Sequence, residues 1–252
     1  YPIKVDPLLH SETVILHASD RQAYDFFGRP VSISGDTLAV GAYEEDGGTG
    51  DPLTSAGAVY VFTRNKNGPN TWGEVKIMRA SDAQYADQFG YSISLSGDTL
   101  AVGARYEDGG TGDSVSNAGA VYIFARNQGG ADNWGEVQIL HASDMQADDY
   151  FGESVSISSD TLVVGAPYED GGTGNPVYRL GAAYVFARNQ GGADNWGEIA
   201  ILHPSDMQTD DNFGGSVAIS GDILVVGASH EDGGASDPVT DAGAAYVFAR
   251  NQ

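Results

Sequence analysis

The dipeptide Phe-Gly occurs four times at a constant spacing of 62 residues, beginning at Phe27, Phe89, Phe151 and Phe213. The flanking sequence repeats with it, and the segment ARNQGGADNWGE is identical at 125–136 and 187–198. A fixed period of this kind is typical of repeat architectures, in which one supersecondary unit stacks on the next. Four such units account for nearly all of the 252 residues, so we expect one domain over 13–252. Residues 1–12 fall outside the pattern and are interpreted as an N-terminal extension or arm.

Each unit reads as four short strands separated by turn residues. In the third copy these are SVSIS at 154–158, TLVVGA at 161–166, AAYVFAR at 182–188 and EIAIL at 198–202, which we name strands A to D. Alternating or β-branched runs of this length favour strands, and no helical periodicity of useful length competes with them. Repeated four-stranded antiparallel units are typical of propeller blades, which bury both faces against neighbouring blades. The sequence therefore predicts an all-β fold, a β-propeller of four four-stranded antiparallel blades.

Two sequence anchors stand in all four copies: Phe-Gly before strand A, and Val-Gly-Ala followed by Gly-Ala-x-Tyr-(Val/Ile)-Phe. With these anchors the chain resembles the FG-GAP repeat, the blade unit of the integrin α-subunit head and of many bacterial extracellular proteins. The resemblance implies a propeller fold, an extracellular or cell-surface location and a role in adhesion. It does not supply a calcium site, because the family's calcium loop between strands A and B is replaced here by a short turn.

The alignment of the repeats also bears on how the ring closes. Residues 13–20, TVILHASD, align with the strand D segments at 75–82, 137–144 and 199–206, and the fourth unit ends after its strand C. We therefore expect the first strand to complete the last blade and to close a four-bladed ring. Two alternatives satisfy the same hydrogen bonds: an eight-bladed ring of two chains, or a polymer in which each chain donates its first strand to another.

Composition excludes several classes of partner and site. Thirty-five Asp and Glu against 12 Lys and Arg give a formal charge of −23, which repels phosphate backbones and anionic lipids. We expect no nucleic-acid partner, and no membrane insertion because no apolar run is long enough to span a bilayer. The absence of cysteine excludes disulfides and thiolate metal sites. The chain begins at Tyr1 rather than Met, which indicates either a processed mature protein or an excised fragment, and we favour a processed, secreted protein.

Strands that alternate in direction place the D–A and B–C loops on one edge of the blades and the A–B and C–D turns on the other. The D–A loops hold ten acidic residues and the B–C loops thirteen, which together are 23 of the 35. The opposite edge receives Arg64, Arg126, Arg188, Arg250 and Lys66. We therefore expect one strongly acidic edge and one mildly basic edge, which favours face-to-face stacking into a homo-oligomer or polymer, with strand exchange through the N-terminal arm as the other route.

So many carboxylates in about eight loops repel one another, and a hard cation relieves the repulsion. We therefore predict bound Ca²⁺, with glycine-rich strings such as EDGGTGD at 107–113 adding carbonyl oxygens. The predicted ligands are Asp20, Asp25, Asp46, Asp51, Asp82, Asp87, Asp108, Asp113, Asp144, Asp149, Asp170, Asp206, Asp211, Asp232 and Asp237. The alternative is that these loops are solvated turns whose aspartates cap backbone N–H groups.

Other chemistry is sparse. His17, His141 and His203 share one register with Arg79, and we interpret the histidines as surface residues of an edge strand. The tryptophans that begin strand D are interpreted as packing residues rather than sugar platforms. No catalytic motif occurs, and equivalent blades offer no single asymmetric site, so we expect no enzyme. The favoured function is a secreted, calcium-binding structural or adhesion module that assembles into a filament or tube and contacts a cell-surface protein; the alternative is a multivalent lectin that binds a glycan.

Overall fold

The computed structural model describes residues 12–48, 50, 52–109, 112, 114–171, 177–190, 192–206, 208–232 and 239–250. Within them the regular structure consists of fifteen strands in four antiparallel sheets, with no helix. Each sheet corresponds to one 62-residue unit, and we call the sheets blades 1 to 4. The prediction of an all-β fold with four repeated units is therefore confirmed.

Blade 1 comprises β1 (Val31–Ser34), β2 (Thr37–Ala42), β3 (Ala58–Arg64) and β4 (Trp72–Met78). Blade 2 comprises β5 (Ser92–Ser96), β6 (Thr99–Ala104), β7 (Ala120–Ala125) and β8 (Gly135–Leu140). Blade 3 comprises β9 (Ser154–Ser158), β10 (Thr161–Ala166), β11 (Ala182–Arg188) and β12 (Trp196–Leu202). In blade 4 the described strands are β13 (Phe213–Ser220), β14 (Ile223–Ala228) and β15 (Ala244–Ala249). Each strand pairs with the next one in the sequence.

The second strand of the inner blades is buried along its whole length. Every residue of β6 and of β10 is buried, because neighbouring blades cover both faces of the sheet. This explains why TLAVGA and TLVVGA are continuous apolar runs rather than alternating ones. In blade 3 the pairing of β10 with β11 runs from Thr161 opposite Ala187 to Ala166 opposite Ala182.

The core is a series of apolar clusters between consecutive blades. Between blades 1 and 2, for example, Val59 and Val61 of β3 pack with Phe89, Tyr122 and Trp134 of the next unit. Equivalent clusters join blade 2 to blade 3 and blade 3 to blade 4. The first strands of neighbouring blades also contact one another, so β1, β5, β9 and β13 lie together on the inner side. Each blade therefore has one apolar face toward its predecessor and one toward its successor.

The two sequence anchors form one joint between consecutive blades. The backbone N–H of Phe151 donates to the carbonyl of Ala118, at 2.9 Å. Gly119 has φ of +82°, and a Cβ placed on it would lie 2.1 Å from the carbonyl oxygen of Phe151. Only glycine satisfies both the left-handed backbone and this close approach. The Gly-Ala of one unit is therefore required by the Phe-Gly of the next.

The D–A and B–C loops meet on one edge, as expected from the strand directions. The backbone N–H groups of Ala86, Asp148 and Asp210 donate across this junction to the carbonyls of Thr54, Ser116 and Tyr178, at 2.9 to 3.0 Å. We call this side of the molecule the acidic edge. The opposite side, formed by the A–B and C–D turns, is called the turn edge.

The turn edge is not basic. Arg126 and Arg188 form ion pairs of 2.8 Å with Asp98 and Asp160 of the A–B turn in their own blades. Arg64 pairs with Asp36 in the same way, and Arg250 lies 3.8 Å from Asp222. The expectation of a mildly basic edge is wrong, because each arginine is matched by an aspartate. The turn edge therefore offers no basic surface to the acidic edge of another copy, and charge complementarity no longer supports face-to-face stacking.

The structure does not show a closed ring. Blade 4 has three strands among the described residues, and residues 12–18 belong to no strand. Instead Leu16 and Ala18 pack against blade 1, with Val40 and Phe62. The principal strand contacts link blade 1 to 2, 2 to 3 and 3 to 4, and blades 4 and 1 share none of comparable extent in the described chain. The proposed arm lies almost wholly outside the described residues.

Candidate functional site

The acidic edge carries one group of four carboxylates in each blade. In blade 3 the group consists of Asp144 and Asp149 from the D–A loop and Glu169 and Asp170 from the B–C loop, which act electrostatically on one another. We call each such group a carboxylate cluster. The equivalent clusters are Asp20, Asp25, Glu45 and Asp46 in blade 1, Asp82, Asp87, Glu107 and Asp108 in blade 2, and Asp206, Asp211, Glu231 and Asp232 in blade 4.

Three of the four positions have a fixed hydrogen-bonding role in the fold. Asp144 accepts the phenolic O–H of Tyr184 at 2.8 Å, and the other three blades repeat this bond. Asp149 accepts the backbone N–H of Gln146 at 2.6 Å, which closes the D–A loop. Asp170 accepts the backbone N–H of Arg179 at 2.8 Å, which closes the B–C loop. These contacts agree with the alternative in which the aspartates are structural, although the Asp144 position binds a tyrosine rather than the backbone.

Burial and mutual repulsion perturb the clusters. Burial is the main cause that raises the pKa of Asp149, the backbone hydrogen bond from Gln146 opposes it, and the neighbouring carboxylates of Glu169, Asp144 and Asp170 add to the rise, so that the pKa is about 7. The same causes raise the pKa of Asp211 to about 6, and they raise that of Asp25. Burial, with the partner aspartate, also raises the pKa of the tyrosines that bond to the clusters. A cation would therefore be favoured at this edge.

A residue at the end of strand D faces the buried glutamate of the cluster in blades 1 to 3. In blade 1, Arg79 donates to Glu45 at 2.6 and 3.2 Å and to Asp20 at 3.1 Å. His141 and His203 occupy the same register in the next two blades, with Nδ1 at 3.7 Å from Glu107 and 3.8 Å from Glu169. His141 and His203 are partly exposed, at 29% and 23% of their side-chain surface, so they lie at the surface as interpreted, but each also faces a buried glutamate, a contact that was not foreseen.

Sequence reasoning did not predict that the cluster glutamate, such as Glu45, pairs with the residue at the end of strand D, such as Arg79. The signal was present, since the glutamate is invariant in all four copies while a basic or titratable residue stands 34 positions later in each complete blade. Pairing between two loops and a strand end is set by the fold, however, and local sequence patterns do not report it.

The described residues do not have the arrangement of a metal-binding site. No three His, Asp or Glu side chains in the described part of the chain are arranged so that they could hold a metal ion. The predicted ligands Asp51, Asp113 and Asp237 lie outside the described residues. Calcium therefore stays a prediction, based on the density of charge rather than on coordination geometry.

The four copies differ most at a few positions of the acidic edge. Outside strand D, the positions at which all four copies carry different residues are those of Phe26, Arg29, Tyr43 and Ser55. We include the position of Glu44, which carries three different residue types in the four copies. The remaining members, at intervals of 62 residues, are Gln88, Tyr150 and Asn212; Tyr91, Glu153 and Gly215; Arg105, Pro167 and Ser229; Tyr106, Tyr168 and His230; and Asn117, Arg179 and Asp241. We call these twenty residues the variable surface.

Residues of the variable surface contact one another within and across blades. Between blades 1 and 2, the ring of Tyr43 packs edge-on against that of Tyr91 at 5.4 Å, and Tyr91 lies 3.6 Å below the guanidinium of Arg105. Arg105 also donates to Gln88 and to Glu153, both at 3.0 Å. The surface is therefore continuous over the joints, although its chemistry changes from blade to blade.

An aromatic row lies at the joint of blades 2 and 3. Tyr150 contacts Tyr106 at 5.0 Å and Tyr168 at 4.8 Å between ring centroids, and Arg179 stacks on Tyr168 at 5.0 Å. All three tyrosines remain partly accessible. Beside this row, a cavity of about 230 Å³ is lined by Tyr150, Tyr168, Asp170 and Arg179 among others. Aromatic rings and carboxylates together favour binding of cations.

The tryptophans of strand D have a packing role. Trp134 and Trp196 are buried in the clusters between blades, with Arg126 and Arg188 stacked on their rings at 5.2 and 5.0 Å. Neither ring offers an exposed face to a sugar. The interpretation as packing residues is confirmed for Trp134 and Trp196, and Trp72 is partly buried against the apolar cluster of blade 1.

The fold and its acidic edge define a repeat protein of propeller-type blades. The family model of the FG-GAP repeat matches four segments of the chain, at 10–62, 72–124, 134–186 and 196–248. These segments cover most of the sequence, and the chain belongs to the FG-GAP repeat family. A search of curated proteins found no match. The described residues also contain no helix capable of crossing a membrane.

Proposed function

We propose that this chain is a non-enzymatic adhesion or binding module that presents the variable surface to a protein partner. The observation that carries the proposal is that the four copies keep the same core and loop residues but differ in the residues of the variable surface. The joints, the carboxylate clusters and the core positions are nearly invariant among the copies, whereas the positions that differ in every copy lie on one edge, apart from one position in strand D. Structural needs alone predict similar substitution over all exposed positions.

The chemistry of the acidic edge favours a partner rich in lysine and arginine. The carboxylate clusters give this edge a strong negative potential, which attracts basic segments and speeds their association. The exposed or partly exposed rings of Phe26, Tyr150 and Tyr178 offer faces to such cations. Arg29, Arg105 and Arg179 already use neighbouring rings in this way.

Three further features belong to the proposal. The chain acts outside the cell, at a surface or as a secreted protein, which agrees with the usual setting of its family. Calcium binds at the acidic edge and offsets the burial and the mutual repulsion of the carboxylates, which together raise the pKa of Asp149 and Asp211. The chain also associates with further copies of itself as a structural element, and a filament or tube is the extended form of that assembly.

A phage-displayed library of random peptides tests the binding proposal, with the immobilised full chain as the target. The test variant combines Tyr106→His, Tyr150→Asn and Tyr168→His, each of which borrows the residue that blade 4 carries at the same position. The control combines Gln128→Ser and Gln190→Ser, which are exposed residues of the turn edge. We expect the wild type and the control to enrich peptides rich in Lys and Arg, and the test variant to lose most of this enrichment.

Two outcomes contradict the proposal. The first is an absence of enrichment for basic peptides, and the second is equal enrichment by the test variant while both proteins keep the same melting temperature. The same proteins on a glycan array address the lectin alternative, which requires binding to defined sugars that the test variant loses.

A further inference from the structure

The cavity beside the aromatic row of blade 3 already contains a cation that the chain itself supplies. Its volume is about 230 Å³, and its walls come from the D–A and B–C loops of that blade. The guanidinium of Arg179 lies between two tyrosine rings, at 5.0 Å from the centroid of Tyr168 and 4.9 Å from that of Tyr178. Tyr150 lines the same cavity. We call Tyr150, Tyr168 and Tyr178 the tyrosine cage.

Among the described residues, only aromatic rings hold the guanidinium of Arg179. It forms no ion pair with a described carboxylate, although Asp148 and Asp170 line the same cavity. Arg105, another stacked arginine of the acidic edge, also pairs with Glu153 at 3.0 Å. A cation–π contact at an exposed site is weak compared with such a combination. The side chain of Arg179 is therefore held loosely enough to be exchanged for another cation.

The backbone at this position indicates that the arginine is present for its side chain. Arg179 has φ of +50°, in the left-handed region that a long side chain adopts only at a cost in free energy. The other copies also have positive φ here, and they carry Ser55, Asn117 and Asp241. Asparagine and aspartate tolerate this conformation best after glycine. Strain that a fold keeps in place of a better-suited residue is typical of functional sites.

The tyrosine cage is particular to the third copy and lies inside the array. The position of Tyr178 carries no ring in the other copies, where it is Thr54, Ser116 and Thr240. The N–H of Asp148 donates to the carbonyl of Ser116 in blade 2, at 2.9 Å. The N–H of Asp210, in the loop before blade 4, donates to the carbonyl of Tyr178 at 3.0 Å. Neighbouring blades therefore support the cage on both sides.

From these observations we infer that Arg179 blocks the cation site of the variable surface from within, and that a lysine or arginine side chain of the partner takes its place in the tyrosine cage. The inference rests on the proposed function and adds an internal competitor to it. Exchange of one cation for another keeps the rings of Tyr168 and Tyr178 covered. The carboxylates of Asp148 and Asp170 line the cavity and attract the entering cation.

An internal competitor has a measurable consequence for affinity. A site that is open for only a fraction of the time binds its ligand with an affinity that is reduced by that fraction. Removing the side chain of Arg179 therefore raises the affinity for a cationic ligand. It also removes one positive charge from the acidic edge, which attracts any cation more strongly. The experiment has to separate these two effects.

Binding of a fluorescein-labelled peptide of alternating glycine and arginine to the full chain tests the inference by anisotropy, in about 0.15 M salt to screen general attraction. The test variant is Arg179→Asn, which borrows Asn117 from blade 2 and suits the left-handed backbone. The charge control is Arg21→Ala, which borrows Ala83 and removes one charge from an exposed residue of the same edge. A third variant adds Tyr178→Ser to Arg179→Asn and so removes one ring of the cage.

We expect Arg179→Asn to bind the peptide about fivefold more tightly than the wild type, because its cage is open. Arg21→Ala should gain less than about twofold, and the third variant should lose the gain. Equal gains for the test variant and the charge control, or a gain that survives the loss of Tyr178, would overturn the inference while wild-type binding still supports the proposed function. Tight binding by Arg179→Asn alone would support the inference and contradict the proposed function. Failure of all four proteins to bind would overturn both.

Discussion

The imidazole Nδ1 of His141 lies 3.7 Å from Oε2 of Glu107, in the register where Arg79 bonds Glu45 at 2.6 Å in the preceding blade. The guanidinium is permanently charged, whereas imidazole carries charge only when protonated. Equivalent carboxylates therefore face a constant cation in blade 1 and a titratable group in blades 2 and 3. Near-identical repeats differ in how they balance one buried negative charge.

Replacing Arg79 by histidine should destabilise the protein at neutral pH. The change removes the hydrogen bonds from the guanidinium to the buried Glu45 and to Asp20. Hydrogen bonds to charged groups contribute about 1.5–3 kcal/mol. Urea unfolding at pH 7.5 measures the loss. The matched control is His141→Arg, which introduces the blade 1 arrangement into blade 2 and should raise stability; equal stability of the two variants and the wild type would contradict the role of this position.

The pH dependence of stability should change when Asp149 is replaced by asparagine. The folded-state pKa of Asp149 is about 7, above its usual value of 3.8, so the folded protein keeps a proton that the unfolded chain has lost. Its contribution to stability therefore falls as pH rises from about 4 to about 7 and stays low above that range. Asparagine has no charge to bury and still offers an oxygen to the N–H of Gln146.

We expect Asp149→Asn to melt at a higher temperature than the wild type near pH 8 in EDTA, with the difference shrinking toward pH 4. Asp210→Asn serves as the control, because Asp210 is exposed in an equivalent loop. A benefit of the same size at both pH values, or one shared by the control, would refute the burial of charge as the cause.

Much of the fold was predictable because its determinants are local and repeated four times. Strands A, B and C of the third copy begin and end where the sequence pattern places them. Strand D begins at Trp196 rather than Glu198, since Gly197 and Trp196 pair with Ala187 and Arg188 of β11; the N–H of Trp196 also bonds the side chain of Gln138 in the neighbouring blade. Such a contact over 58 residues leaves no local pattern.

The location of the carboxylate clusters was predictable from the sequence, but the contacts that their residues make were not. The alternation of strand direction correctly placed the aspartates of the D–A and B–C loops on one edge. It did not reveal that Glu169 faces His203, or that Leu16 and Ala18 pack on blade 1. These relationships depend on how whole blades sit on one another. The basic turn edge was mispredicted for the same reason, because Arg188 finds Asp160 only once the sheet has formed.

Replacing Gly119 by alanine should disrupt the joint between blades 2 and 3. The new Cβ would lie 2.1 Å from the backbone oxygen of Phe151, which no rotamer change can relieve. Gly97→Ala is the matched control, because Gly97 also has a positive φ, of +57°, but has open space around it. Both variants carry backbone strain of about 1 kcal/mol. Thermal melting should show a much larger loss for Gly119→Ala, and similar losses would contradict the proposed joint.

Calcium should stabilise the chain if it binds at the acidic edge. EDTA is expected to lower the melting temperature by several degrees, and added Ca²⁺ to restore it by mass action. Mg²⁺ should restore less, because it demands a tighter octahedral shell. Asp108→Asn keeps an acceptor for the N–H of Asn117 while removing one charge, and it should reduce the response to calcium. An unchanged melt in EDTA, with no metal found by elemental analysis, would exclude calcium.

Deleting residues 1–20 should loosen blade 1 in particular. The deletion removes Leu16 and Ala18 from the cluster with Phe62, and it takes away the partners of Glu74 and Tyr60. Hydrogen exchange followed by mass spectrometry should therefore show faster exchange in β1–β4 than in the same strands of the wild type. Deleting only residues 1–8 is the control, since it leaves all of these contacts in place. If the two deletions exchange alike over blade 1, residues 13–20 do not act as its supporting strand.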